Sequence, residues 1–151
     1  MGVNVGTHLC IRQPGKELTS LCEGPWIPRN YKLYGLMAGV RGDITLFEPR
    51  GIPEDASERL LWDIRDSQHA ADEHSHSWLT TGELKEVAAA YESEPSCYYE
   101  SVRFERTDPP PPERTTKLGP HFAATIGAME ALDRWCDSNG GGQAILVFSF
   151  G

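Results

Sequence analysis

Residues 144–150, Ala-Ile-Leu-Val-Phe-Ser-Phe, decide the fold of this chain. The run is almost wholly apolar and is rich in β-branched and aromatic side chains, which favour strands. Because successive side chains of a strand point to opposite faces, apolar residues at consecutive positions indicate that both faces are buried. We therefore expect residues 144–150 to form a central strand.

A long helix is predicted immediately before this strand. Apolar side chains recur there in steps of four, three, three and four, at Phe122, Ile126, Met129, Leu132 and Cys136. That spacing places them on one helical face, and Pro120 is suited to the first turn. The sequence predicts a helix from Pro120 to about Asp137, ended by the Ser-Asn-Gly-Gly-Gly turn at 138–142.

The first forty residues predict a hairpin and a short helix. Residues 8–13 alternate, with Leu9 and Ile11 on one face, and a second alternating run holds Leu18 and Leu21 after the Pro14-Gly15 turn. Asn30 can cap a helix from Tyr31 to Val40. Gly35 and Gly39 in that helix permit close approach of the backbone, either to a neighbouring element or to a ligand.

The middle of the chain predicts a rigid loop followed by two capped helices. Arg41-Gly42-Asp43 is typical of a turn, residues 44–47 of a brief extended piece, and the prolines and glycine of 48–55 of a rigid loop. Asp55 and Glu58 have capping-box spacing before a helix over 56–71. Thr80 and Glu83 have the same spacing before a helix that ends near Glu92.

Residues 98–106 alternate and predict a further strand, and Pro109 to Pro112 form a stiff polyproline segment in a connection over about 107–118. At 151 residues the chain is long enough for a single domain. The predicted fold class is α+β: a small, mainly antiparallel sheet with an N-terminal hairpin and a C-terminal central strand, packed by three to four helices.

Composition narrows the functional classes. The formal net charge of -8 disfavours binding to polymeric nucleic acid or to anionic membranes. No apolar run has the roughly 20 residues needed to span a bilayer, and the N-terminus lacks the pattern of a signal peptide, so we expect a cytoplasmic location. The four cysteines form no CxxC pair, which predicts reduced, structural thiols and no zinc knuckle.

Polar chemistry is concentrated in residues 72–80, Asp-Glu-His-Ser-His-Ser-Trp-Leu-Thr, predicted as a loop between the two capped helices. His74 and His76 would point to the same side of an extended backbone and could bind a metal ion. A metal site needs further ligands, for which the candidates are Asp72, His69, His121 and His8. A metal-dependent hydrolase of nucleotides or phosphoesters is therefore an alternative hypothesis.

Binding of an anionic ligand that contains a ring fits these groups better than catalysis does. Backbone amides near Thr80, together with the Ser75 and Ser77 hydroxyls, could hold phosphate, and Arg41 or Arg50 could pair with it. An aromatic face such as that of Trp78 or Tyr34 could stack on a base. The predicted ligand-binding residues are Arg41, Glu48, Arg50, His74, Ser75, His76, Ser77 and Trp78, with no catalytic residue and no cofactor. Two alternatives stay open: Trp78 could be a core residue, and the histidines could be structural residues of a loop.

Four segments, RNYKL (29–33), AGVRG (38–42), EPRGIPEDAS (48–57) and HSHSWLT (74–80), resemble a family of small bacteriophage and prophage proteins. The resemblance covers about residues 7–86 and the final apolar strand. It implies action in the host cytoplasm, where such proteins counter antiviral defence, in several cases as sponges that bind nucleotide second messengers without cleaving them. By the same analogy we expect a small phosphorylated nucleotide ligand and homo-oligomerisation. The other alternative is an inhibitor that binds a host protein, for instance through Pro109 to Pro112.

Overall fold

The computed structural model describes residues 2–42, 44–66, 72–93 and 118–151. Within them, four strands form one antiparallel sheet: β1 (Val5–Arg12), β2 (Thr19–Glu23), β3 (His74–Thr80) and β4 (Gln143–Phe150). The strand order is β2-β1-β4-β3. The predicted α+β class, the N-terminal hairpin and the central position of the last strand are confirmed.

Strand β4 is central because it pairs with a strand on each side. It pairs with β1 along its whole length, from Val5 opposite Phe150 to Arg12 opposite Gln143. On its other side it pairs with β3, where Trp78 lies opposite Val147. Every residue of β4 after Gln143 is buried, as the apolar run predicts.

Both faces of the sheet are covered, and the side chains of β4 alternate between two cores. Ala144, Leu146, Phe148 and Phe150 belong to a large cluster under helices α1 (Tyr31–Ala38), α3 (Thr81–Ser93) and α4 (Pro120–Asp137). Ile145 and Val147 belong to a smaller cluster, which also contains Cys10, Leu18, Ala56, Leu60 and Ile64. Burial of each large apolar side chain contributes about 1.5–3 kcal/mol.

Helix α1 begins as predicted, with the Asn30 side chain accepting from the amide of Leu33 at 3.1 Å. It ends at Ala38, two residues before the predicted end, because Gly39 takes a left-handed conformation with φ of 70°. Gly35 lies against a neighbouring segment: a Cβ added there would be 2.5 Å from the Cα of Gly42. Of the two predicted roles for a glycine in this helix, close backbone packing is the one found at Gly35.

The prediction of a helix over 56–71 is wrong in two respects: the residue that caps the helix, and the regularity of its turns. Ser57 is the cap, accepting from the amide of Leu60 at 3.2 Å. Helix α2 spans only Glu58–Leu61 and continues as a π-helical turn over Trp62–Asp66, whereas residues 67–71 lie outside the described residues. The Asp55 carboxylate does not cap α2 because it pairs with the Arg12 guanidinium across 43 positions of sequence.

The segment 74–80, predicted as part of a loop, is strand β3. Residues 44–47 form no strand. Helices α3 and α4 match their predicted positions within one residue. The predicted strand over 98–106 and the segment Pro109 to Pro112 lie outside the described residues. Among the helices that are described, none combines the length and the apolar character needed to cross a membrane.

Among the described cysteines, Cys10 and Cys136 are buried, Cys22 is exposed, and all three carry free thiols. Cys10 pairs with Ser20 across the hairpin, and Cys22 pairs with Leu9. Burial raises the pKa of the Cys10 thiol to about 12, so the thiol stays protonated at neutral pH and packs as a small apolar group.

Candidate ligand-binding site

Trp78 is half-buried on β3, with one part of its side chain in the smaller core and another on the surface. It lines a surface groove of about 420 Å³ together with Arg12, Arg50, Ile52, Pro53, Glu54 and Asp55. Trp78 can therefore be both a core residue and a ligand contact, because one part of the indole packs against the smaller core and another part faces the groove.

Two guanidinium groups lie over the Trp78 ring. The Cζ of Arg50 is 4.6 Å from the ring centroid, and the Cζ of Arg12 is 4.8 Å from it. Both distances are within the range in which a cation is attracted to the π face of an indole. Arg12 comes from the end of β1 and Arg50 from the loop before α2, so the indole joins segments that are remote in sequence.

Each of these arginines is paired with a carboxylate. Arg12 donates from Nε and Nη2 to the two oxygens of Asp55, at 2.6 and 2.9 Å. Arg50 donates to both oxygens of Glu83, with Nη1 at 2.9 Å from Oε1. The hydrogen bonds from Arg12 lower the pKa of Asp55, and those from Arg50 lower the pKa of Glu83. The pKa of Arg50 is raised in turn by its hydrogen bonds to Glu83.

The loop over 48–55 is fixed against the strands by its backbone. The amide of Arg50 donates to Ser77 Oγ at 3.0 Å, and the amide of Gly51 donates to the carbonyl of His76 at 2.8 Å. At the other end of the loop, the carbonyl of Asp55 accepts from the amide of Leu18 at 2.7 Å. These hydrogen bonds hold the groove wall in place.

Two depressions lie beside the groove, toward the β1–β2 turn, and share Asp55 with it. A depression of about 510 Å³ is lined by Arg12, Gln13, Pro14, Lys16, Asp55, Gly142 and Gln143. A smaller one of about 320 Å³ is lined by Gly15, Lys16, Glu17, Glu54, Asp55 and Ala56. In the parts of the chain that the structure describes, neither the Lys16 ammonium nor the Glu54 carboxylate forms an ion pair.

Among the predicted site residues, the structure brings Arg50, Ser77 and Trp78 together. Ser77 is 0% exposed, and its hydroxyl accepts from the amide of Arg50. It therefore supports the loop, and it has no surface to offer a ligand. Ser75 has a φ of 53°, and its hydroxyl is 3.0 Å from Nδ1 of His74. Ser75 and His74 do not line the groove.

Arg41 and Glu48 lie near the C-terminal end of α1, away from the groove lining. The Arg41 Cζ is 5.9 Å from the Tyr31 ring centroid. Glu48 is close to Gly39, where an added Cβ would be 3.7 Å from Oε2 of Glu48. The groove therefore retains Arg50 and Trp78 from the predicted set and adds Arg12, Glu54 and Asp55, and Lys16 lines the depressions beside it.

The two histidines of β3 do not meet the geometric expectation of a metal site. The pairing of β3 with β4 shifts between His74 and Ser77, which breaks the two-residue alternation that would align the imidazoles. Over residues 2–42, 44–66, 72–93 and 118–151, no group of three or more potential ligands is placed to hold a metal ion. Burial lowers the pKa of His76, and the charge of Glu73 opposes this effect.

The start of α3, predicted as a phosphate contact, is occupied by its own capping box. The amide of Thr80 donates to Oε1 of Glu83 at 3.0 Å, and the amide of Glu83 donates to Oγ1 of Thr80 at 3.3 Å. The capping-box prediction is confirmed. A phosphate at this position would have to displace the Glu83 carboxylate, so the helix start is not part of the candidate site.

Arg12 and Asp55 were missed at the sequence level because each has a plausible local role, one in a strand and one as a cap.

Comparisons of the chain with protein families, with curated proteins and with solved structures found no match. The site must therefore be interpreted from its own chemistry.

Proposed function

We propose that this chain binds a small phosphorylated nucleotide in the groove beside Trp78 and holds it without cleaving it. The observation that carries the proposal is the indole of Trp78, which contacts two guanidinium groups and lines an open groove of about 420 Å³. A base that takes the place of one guanidinium group over the indole would gain the stacking on an aromatic side chain, which contributes about 1–3 kcal/mol in nucleic-acid complexes.

Phosphate recognition is assigned to the end of the groove that carries Arg12 and Lys16. Arg12 uses Nε and Nη2 for Asp55, and among the residues that the structure describes its Nη1 has no hydrogen-bond acceptor, so Nη1 could donate to a ligand. Lys16 lines both depressions beyond Asp55 and adds an ammonium group. A phosphate at this end would gain charge-assisted hydrogen bonds, although the net charge of -8 repels anions at long range.

The acidic partners of the arginines give the site selectivity. Asp55 and Glu83 offset much of the charge of Arg12 and Arg50, so the guanidinium groups alone bind free phosphate only weakly. A ligand that also stacks on Trp78 gains apolar contact in addition to the charge interaction. The site therefore favours a nucleotide over inorganic phosphate.

In the biological setting, the resemblance to small bacteriophage proteins supports a sponge that removes a nucleotide immune signal and so counters host antiviral defence. A sponge only has to bind its ligand in the host cytoplasm, and a site with two ion-paired arginines is suited to binding. Homo-oligomerisation belongs to this proposal as an analogy with other sponges.

The test is a thermal-unfolding screen with AMP, GMP, ADP-ribose and a cyclic dinucleotide, followed by mass analysis of the ligand released on denaturation. At a concentration about 100 times Kd, a bound nucleotide adds about 2.7 kcal/mol to the free energy of unfolding. We expect at least one nucleotide to raise Tm and to be recovered intact.

The matched variants are Trp78→Leu and Trp62→Leu. Trp62 is 52% exposed on the π-helical turn and does not line the groove. We expect Trp78→Leu to abolish the ligand-dependent rise in Tm and Trp62→Leu to retain it, with both variants folded by circular dichroism. Recovery of a cleaved ligand would favour the hydrolase, and a chain that ignores all the nucleotides but captures a host protein would favour the inhibitor.

A further inference from the structure

Glu54 is the groove residue that the proposed nucleotide site leaves without a role. Glu54 is exposed, and it lines both the groove with Trp78 and the depression with Lys16. Among the described residues its carboxylate accepts no hydrogen bond from a side chain and forms no ion pair. The groove therefore offers an unpaired, acceptor-only group in the wall that it shares with the indole.

The other charged side chains of that wall, Arg12, Arg50 and Asp55, each form hydrogen bonds already. Asp55 accepts from Arg12, and Arg50 donates to Glu83 and to the carbonyl of Trp78. A base that stacks on Trp78 would therefore find Glu54 as the free carboxylate for its edge. We infer that Glu54 reads the base and that the ligand is a guanine nucleotide. This inference rests on the proposed function.

The chemistry of the two purine edges favours guanine. Guanine presents a ring N–H and an amino group side by side, and these two donors match the two oxygens of one carboxylate. Adenine presents an amino group beside an unprotonated ring nitrogen, so one carboxylate oxygen would face a lone pair. Guanine therefore gains two hydrogen bonds from the Glu54 carboxylate where adenine gains one.

The order of residues along the groove gives the ligand a direction. Trp78 lies in the groove, Lys16 lies in the depressions toward the β1–β2 turn, and the shared residues Arg12, Glu54 and Asp55 lie between them. A guanine on the indole would direct its ribose and phosphate toward Arg12 and Lys16. The direction is consistent with the phosphate contacts proposed above.

The experiment is a calorimetric titration of the full chain and of Glu54→Gln with GMP, IMP and AMP. For the unmodified chain we expect GMP to bind at least about tenfold more tightly than AMP. IMP, which keeps the ring N–H and lacks the amino group, should fall between them. Glu54→Gln should weaken GMP binding about tenfold and leave AMP binding within about twofold.

The control variant is Glu86→Gln, because Glu86 is exposed on α3 and lines neither the groove with Trp78 nor the depressions beside it. It should bind GMP as the unmodified chain does. Equal binding of GMP and AMP, each lost in Trp78→Leu, would overturn the guanine inference and leave the proposed function standing. Absence of binding by all three nucleotides and by the wider panel would overturn both.

Discussion

Arg50 donates to both carboxylate oxygens of Glu83, the residue that closes the capping box at the start of α3. One carboxylate thus anchors the groove loop and caps a helix. The side chains of the pair are 29% and 20% exposed, so water screens their interaction only in part.

Replacing Glu83 by alanine should destabilise the fold more than replacing Arg50 by alanine. Glu83→Ala loses the capping hydrogen bond and the ion pair, and should lower the free energy of unfolding by about 1–2 kcal/mol. Arg50→Ala loses the ion pair and its contact with Trp78, and should cost about 1 kcal/mol. Urea unfolding of both variants and of the double variant measures the coupling, and a double variant whose loss equals the sum of the single losses would contradict the shared role.

Acid should weaken the fold through Asp55 and Glu83. Their pKa values are lowered in the folded state, chiefly by hydrogen bonds from Arg12 and Arg50. The stability that they contribute is present above the ordinary values of 3.8 and 4.5, and is lost as the pH falls through the lower folded-state values. Thermal unfolding between pH 5 and pH 3 should show a smaller drop in Tm for the double variant Asp55→Asn, Glu83→Gln. Parallel curves for the two proteins would contradict the assignment.

His76 should produce a separate dependence on pH at higher values. Burial lowers its pKa below 6.5, so the unfolded chain binds a proton more readily than the folded chain does. Its contribution is therefore fully present above pH 6.5 and declines as the pH falls through the folded-state pKa. Replacing His76 by glutamine should flatten the Tm profile between about pH 7 and pH 5. A slope in His76→Gln as steep as that of the unmodified chain would contradict this assignment.

Two glycine substitutions should have opposite effects. A Cβ at Gly35 would lie 2.5 Å from the Cα of Gly42 and 2.9 Å from the carbonyl oxygen of Ile44, so Gly35→Ala forces backbone apart and should cost about 1–3 kcal/mol. Gly127 is in α4 with nothing within 4 Å of an added Cβ, and Gly127→Ala should stabilise the fold by about 0.5–1 kcal/mol. Denaturant unfolding distinguishes the two, and equal effects would refute the packing of α1 on the segment after it.

The elements predicted well are those whose signals are local. The apolar run of β4, the four-and-three spacing of α4 and the Thr80–Glu83 capping box each depend on residues within a few positions of one another. Helix α3 therefore begins where the sequence indicates. The same applies to the Asn30 cap of α1.

The errors come from partners that are remote in sequence. Asp is a residue type that often caps helices, but the Asp55 carboxylate accepts hydrogen bonds from Arg12, and Ser57 caps α2 instead. Strand β3 is polar and lacks the apolar alternation of an ordinary strand. Two of its polar groups are paired with the loop, since the amide of Arg50 donates to the Ser77 hydroxyl and the amide of Gly51 donates to the His76 carbonyl. Of the groove, the sequence alone indicated Arg50 and Trp78. The contributions of Arg12 and Glu54 depend on strand pairing and loop placement.

The place of β4 between β1 and β3 also bears on how the protein is made. The two neighbours of β4 are synthesised first, yet neither can complete its pairing until residues 143–150 have emerged from the ribosome. Contacts that join Val5 to Phe150 close nearly the whole length of the chain, and such non-local pairing slows folding. The nascent chain must therefore carry its exposed sheet edges until translation of β4 is finished, and a truncation before Gln143 would leave both edges open to aggregation.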